Sequence, residues 1–137
     1  MNGINHLAVW AAGIVHFMVG AGWYTAFGPA WLAGIGKTEA QVVAEQPNAA
    51  IPMAIGFAVA VIIAYTLAWL LPKLGARSAG SGAASGATLA LALIATTLAM
   101  NYGFEARPLS LWLINAGYMV VGMALMGGII GAWKKKA

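Results

Sequence analysis

Apolar residues run along the chain in four blocks, residues 4–27, 51–71, 83–104 and 109–133, broken only by isolated polar side chains. Each reaches or exceeds the roughly 20 residues with which a helix crosses a hydrocarbon layer of about 30 Å. The pattern predicts four membrane-crossing helices in one domain over residues 1–137. Pro52 suits the opening turn of the second helix, whereas Pro72 cannot continue it. The stretch RSAGSGAASG, residues 77–86, reads as a small-residue loop, with the third helix beginning near Ala83 or Ala84. FEARP, residues 104–108, reads as a tight polar turn, which makes the third and fourth helices antiparallel neighbours.

The long connection between the first two blocks carries its own signals. Pro29 opens a short helix through Trp31 and Leu32 that stops at Gly36. Thr38 and Gln41 have capping-box spacing for a second short helix, which ends before Pro47. The fold expected is all-α: an integral membrane four-helix bundle with a short interfacial helical loop between the first and second spans.

Composition agrees, with 62% hydrophobic and 7% charged residues, against about 25% charged in ordinary soluble domains. Residues 1–5 hold no Lys or Arg and the first block is long, so it reads as a span rather than a signal peptide. The net charge of +4 includes Lys134, Lys135 and Lys136 beside the last span. These read as a juxtamembrane anchor on anionic lipid, and no nucleic-acid partner is expected. Lys73, Arg77 and the three terminal lysines share one side of the membrane, against Lys37 and Arg107 on the other. The excess places both termini in the cytoplasm of a multi-pass protein of the bacterial inner membrane. Trp10, Trp69 and Trp133 then fall at the inner interface, and Trp23, Tyr24, Trp31 and Trp112 at the outer one, as two aromatic belts.

On a wheel of about 100° per residue, Asn5, Ala12, His16, Gly20 and Trp23 share one face of the first helix, with Leu7, Trp10, Ile14 and Met18 opposite. The polar face is expected to look into the bundle, because an unsatisfied polar group in lipid is costly. The third helix aligns Ala83, Ala87, Ala90, Thr97, Asn101 and Glu105. Glu105 either pairs with Arg107 or joins a pocket with Trp23 and Tyr24. The fourth has two such faces, Asn115, Tyr118 and Gly122 on one, and Gly117, Ala124, Gly128 and Gly131 on the other. The second face is expected to meet another protomer, since small residues let helices approach closely. Asn5, His16, Thr97, Asn115 and Tyr118 form the expected polar interior, with Tyr65 and Thr66 near Asn5 and His6.

Little catalytic chemistry survives this inventory. There is no cysteine, and the acids are Glu39, Glu45 and Glu105. His6 and His16 lie about 15 Å apart on one helix and cannot ligate one haem iron, and too few ligands exist for a zinc or di-iron site. No enzyme activity, metal or cofactor is expected. INHLAVWAAGIVHFMVGAGWYTAFGPAWLAGIGKTEAQV, with Asn5, Gly22-Trp23-Tyr24, Phe27-Gly28, Trp31 and Gly36, resembles an uncharacterised bacterial membrane family, domain of unknown function one-seven-six-one. The resemblance implies a four-helix inner-membrane protein with no assigned activity. Trp23-Tyr24 followed by Pro29-Ala30-Trp31 is also similar to the tryptophan-rich sensory proteins, whose five-helix bundles bind porphyrins and sterol-like lipids. The function expected is binding of a lipid, a lipophilic molecule or a membrane-protein partner through Trp23, Tyr24, Trp31, Asn101 and Glu105, with self-association. Of these aromatics, Trp23 is expected to point into the site, while Tyr24 and Trp31 anchor at the interface. The alternatives are a minimal proton-linked transporter or channel using the polar interior, and haem or pigment binding through His16.

Overall fold

The computed structural model describes residues 3–133. The terminal lysines Lys134, Lys135 and Lys136 lie outside the described residues. Six helices follow in order: α1 His6–Ala26, α2 Gly28–Ile35, α3 Glu39–Glu45, α4 Ala50–Leu70, α5 Ala79–Phe104 and α6 Leu109–Ala132. Of these, α1, α4, α5 and α6 are long and apolar enough to cross a membrane. The two short helices are those expected from the chain signals. Gly36 ends α2 in the left-handed conformation, and Thr38 and Gln41 form the capping box of α3.

Helix α6 is the hub, packed against α1, α4 and α5, with α2 laid on its first turns; α1 also packs on α4. Asn5 caps α1 through Ala8 N at 3.2 Å and donates from Nδ2 to the Trp133 carbonyl at 3.2 Å, so the start of α1 meets the end of α6. The α4–α5 connection lies at this same termini end, where Ile4, Pro72, Arg77 and Trp133 line one hollow. The opposite, loop end carries α2, α3 and the α5–α6 turn, and Arg107 ties that turn to the end of α2 by donating to the Ile35 carbonyl at 3.2 Å. The buried core, including Val9, Ala12, Ala64, Leu67, Leu71, Met123 and Met126, sits toward the termini end.

The α1 wheel holds. Leu7 and Met18 are 65% and 63% exposed, with Trp10 and Ile14 beside them, while Ala12, His16 and Gly20 are buried. Exposed aliphatic side chains on the other long helices continue this surface, as expected where hydrocarbon is the solvent.

Three expectations are corrected. First, most of RSAGSGAASG is helix: Ser78 caps α5 with a Ser78–Ser81 capping box, and the helix runs from Ala79. Its glycines are contact points. A Cβ on Gly82 would overlap the Gly127 carbonyl, one on Gly127 the Gly82 carbonyl, and one on Gly86 the Met123 carbonyl. Here α5 and α6 meet backbone to backbone, close enough for Cα–H groups to face carbonyl oxygens.

Second, the small-residue face of α6 that the sequence assigns to another protomer is taken up within the chain, mostly by this seam. Gly131 packs on the Ser78 carbonyl, Gly128 faces Ala79 and Ala83, Ala124 lies at Gly86, and Gly117 receives the Trp23 ring. Those four positions serve contacts within the chain.

Third, α5 contains a π-helical segment, Ala90–Ala95. A π turn bonds i to i+5 and holds an extra residue, so a wheel drawn at constant pitch slips by about one position beyond it. Ala95, Leu98 and Tyr102 turn toward the bundle, and Thr97, Asn101 and Glu105 are exposed. The Thr97 hydroxyl donates to the Leu93 carbonyl of its own helix at 2.5 Å, so Thr97 is no part of a polar interior.

Candidate functional site

Tyr24 is the junction of the loop half. Its hydroxyl donates to Asn115 Oδ1 at 2.7 Å, and Asn115 Nδ2 donates to the Tyr102 hydroxyl at 2.8 Å, joining α1, α6 and α5. The Tyr24 ring stands edge-on to Tyr118 at 5.4 Å and to Trp31 at 6.2 Å. Tyr118 in turn stacks on His16 at 4.7 Å between ring centroids, and its hydroxyl donates to the His16 carbonyl at 3.2 Å. The pairing of long polar side chains with carbonyls on neighbouring helices satisfies groups that lipid cannot.

This reverses the roles expected of the aromatics. Tyr24 is a linker into the bundle rather than an interfacial anchor. Trp23 Nε1 donates to the Ile114 carbonyl at 2.9 Å, so Trp23 ties α1 to α6 rather than facing a ligand. Trp112, also assigned to the outer belt, donates to the Ala95 carbonyl at the end of the π segment, at 2.8 Å. By contrast Trp10, Trp69 and Trp133 are exposed, and Lys73 Nζ sits 4.4 Å over the Trp69 ring.

His16 lies in the middle of α1 and is 2% exposed. Its Nδ1 is buried without a hydrogen-bond partner. A Cβ on Gly122 would overlap that nitrogen, so Gly122 makes the room the imidazole occupies. Between Tyr118 and Gly122 no porphyrin-sized space remains at Nδ1. At the termini end His6 Nδ1 pairs with the Tyr65 hydroxyl at 2.9 Å, whereas Thr66 bonds back to Ile62 O. Asn5 is a cap at the bundle end rather than a member of its interior.

One open groove of about 650 Å³ lies at the loop end. Trp31 and Leu32 of α2 and Val42 and Val43 of α3 wall it, with Gly28 and Pro29 at the α1–α2 corner, Tyr24 beside them and Glu39 on the margin. The helix break after Ala26 separates α2 from α1, and residues of α2 and α3 together form the groove's walls. Of the site expected from sequence, Tyr24 and Trp31 come together here. Asn101 and Glu105 do not join them; Glu105 accepts from Arg107 Nε at 3.1 Å, the other option read from sequence. Leu32, Glu39, Val42 and Val43 are the residues that sequence reasoning missed. The adjacent valines in EAQVVAE, within an otherwise polar segment, were the available signal.

With the geometry in view, the sequence matches over residues 7–131 the family described as "Protein of unknown function (DUF1761)". The chain belongs to that family. The match spans all four long helices and both short ones, so the groove, the Tyr24–Asn115–Tyr102 link and the glycine seam all fall inside the family region. Comparison with curated proteins and with solved structures returns no match.

Proposed function

We propose that the chain is a non-catalytic membrane protein that holds a lipid or other lipophilic molecule in the groove between α2 and α3. The observation that carries this reading is the groove itself. About 650 Å³ of open space is walled by Trp31, Leu32, Val42 and Val43, beside a Tyr24 ring fixed from behind by Asn115. A mostly apolar recess of a few hundred Å³ with a few placed polar groups is the usual form of a small-molecule site. Native mass spectrometry of the purified protein tests it. Wild type retains a lipophilic molecule, Trp31→Ala loses most of it, and Trp69→Ala, at the opposite end, does not. Equal retention by Trp31→Ala and wild type would sink the groove as a binding site.

The loop end is proposed to face away from the cytoplasm of a bacterial inner membrane. Lys37 is paired with Glu45, and Arg107 with Glu105, which neutralises the cations of that end. Lys73 and Arg77 have no ion pair among the described residues, so positive charge concentrates at the termini end, as on cytoplasmic faces. A reporter fused after residue 137 is expected to read as cytoplasmic, and a periplasmic signal would contradict this orientation.

A second reading, proton-linked transport, is favoured by one observation: an imidazole nitrogen buried at mid-bundle without a partner, on a ring stacked against Tyr118. Flux in reconstituted vesicles that is equal for wild type and His16→Ala would remove its support.

A further inference from the structure

We infer that the groove selects small lipophilic cations, bodies of quaternary ammonium or phosphonium type, through Glu39. The inference rests on the groove being a ligand site. Among the described residues the ion pairs are Lys37–Glu45 and Arg107–Glu105. Of the three acids in the chain, Glu39 is thus the one whose carboxylate has no cationic partner among the described residues, and it is the one that borders the groove. Its place in the first turn of α3 complements that helix's dipole, but at an exposed position this is a weak interaction. It leaves the negative charge uncompensated at the mouth of an apolar recess.

The remainder of the lining suits the same ligand class. Tyr24 and Trp31 present two electron-rich rings set edge to face, 6.2 Å apart, and aromatic faces attract cations that have shed water. Coulomb attraction to Glu39 is stronger at the rim of an apolar layer than in bulk water. An anion of the same size meets repulsion from Glu39, and a neutral one gains only the apolar contact. A zwitterionic lipid brings its phosphate beside its ammonium, which offsets the attraction. The size of the groove fits a compact molecule of drug size.

Isothermal titration of the full chain in dodecyl maltoside micelles, blanked against empty micelles, tests this with three probes of similar shape: tetraphenylphosphonium, triphenylphosphine oxide and tetraphenylborate. The phosphonium is expected to bind saturably and about tenfold or more tighter than the neutral oxide, and the borate not to saturate. Glu39→Gln brings the phosphonium down to the level of the oxide and leaves the oxide unchanged; Glu39→Asp keeps the preference. Trp31→Ala weakens both probes. Equal affinity for phosphonium and oxide, or an unchanged preference in Glu39→Gln, overturns the charge selectivity while leaving the groove reading in place. Absence of saturable binding by both, or no effect of Trp31→Ala on either, takes the groove reading down with it. Displacement of the phosphonium by an equal amount of dodecylphosphocholine would assign the site to zwitterionic lipid and overturn the inference. Helicity by circular dichroism confirms that each variant is folded; Glu39 is exposed and supports no tertiary contact that its loss would break.

Discussion

At the termini end, α6 meets α5 through Gly127 and Gly131 against Gly82 and Ser78, backbone on backbone. Toward the loop end it meets α1 and α5 through Trp23, Tyr24, Asn115 and Tyr102, long side chains whose polar tips reach the next helix. The first kind of contact brings backbones together beside the buried core. The second sets aromatic rings between helices, and the open groove lies at the edge of that region. In a bilayer, where apolar burial between helices supplies little drive, close backbone packing and interhelical hydrogen bonds are the two remaining means of association. In this protein backbone packing dominates α6 toward the termini end, and hydrogen bonds from long side chains dominate it toward the loop end.

Substitutions in the seam separate the two regions most sharply. Gly82→Val places its side chain on the Gly127 carbonyl, and a backbone obstacle cannot swing aside. A loss of about 3 kcal/mol or more is expected, read as a collapse of the thermal melt in detergent; a melt like wild type would break the description of the seam. Gly122→Ala meets the His16 ring, a side chain, instead. About 2 kcal/mol of destabilisation is expected, most of it recovered when His16→Ala is added, and no recovery would show that the crowding lies elsewhere.

Smaller effects belong to the loop half. Asn115→Leu leaves the Tyr24 and Tyr102 hydroxyls without their shared partner and is expected to cost about 1 kcal/mol. It also frees the Tyr24 ring, so probe binding in the groove should weaken alongside stability; loss of stability with unchanged binding would uncouple the two. The smallest change is a gain. Ala106 holds φ of 53° in the α5–α6 turn, where Arg107 N bonds to the Tyr102 carbonyl at 2.9 Å. Ala106→Gly relieves a left-handed conformation that costs a residue with a Cβ about 1 kcal/mol, and a small rise in melting temperature is the expected readout.

The four long helices and the two short ones were legible in the chain because apolar run length, Pro52, Pro72 and the Thr38–Gln41 spacing are local signals. The start of α5 was not. Glycine and serine in RSAGSGAASG signal a loop in water, but against another membrane helix the absence of a Cβ is the reason for close contact. The wheel of α1 correctly turned His16 inward and Leu7 outward because α1 is regular throughout. The same wheel failed for Thr97, Asn101 and Glu105, since nothing in ALALIA marks the π segment that shifts every later position. Tyr24 reads as an interfacial anchor from sequence because it lies about 100° from Trp23 on the wheel. No single-helix pattern reveals that α6 is placed to reach both.

The most direct test of this division of labour is hydrogen–deuterium exchange of the protein in micelles, with and without saturating tetraphenylphosphonium. Slower exchange confined to the amides of residues 31–43, with the Gly82–Gly86 and Met123–Gly131 stretches of the seam unchanged and slow in both states, is the expected result. Protection that appears in the seam, or none over residues 31–43, would contradict a molecule with a tightly packed seam and a separate ligand groove at the loop end.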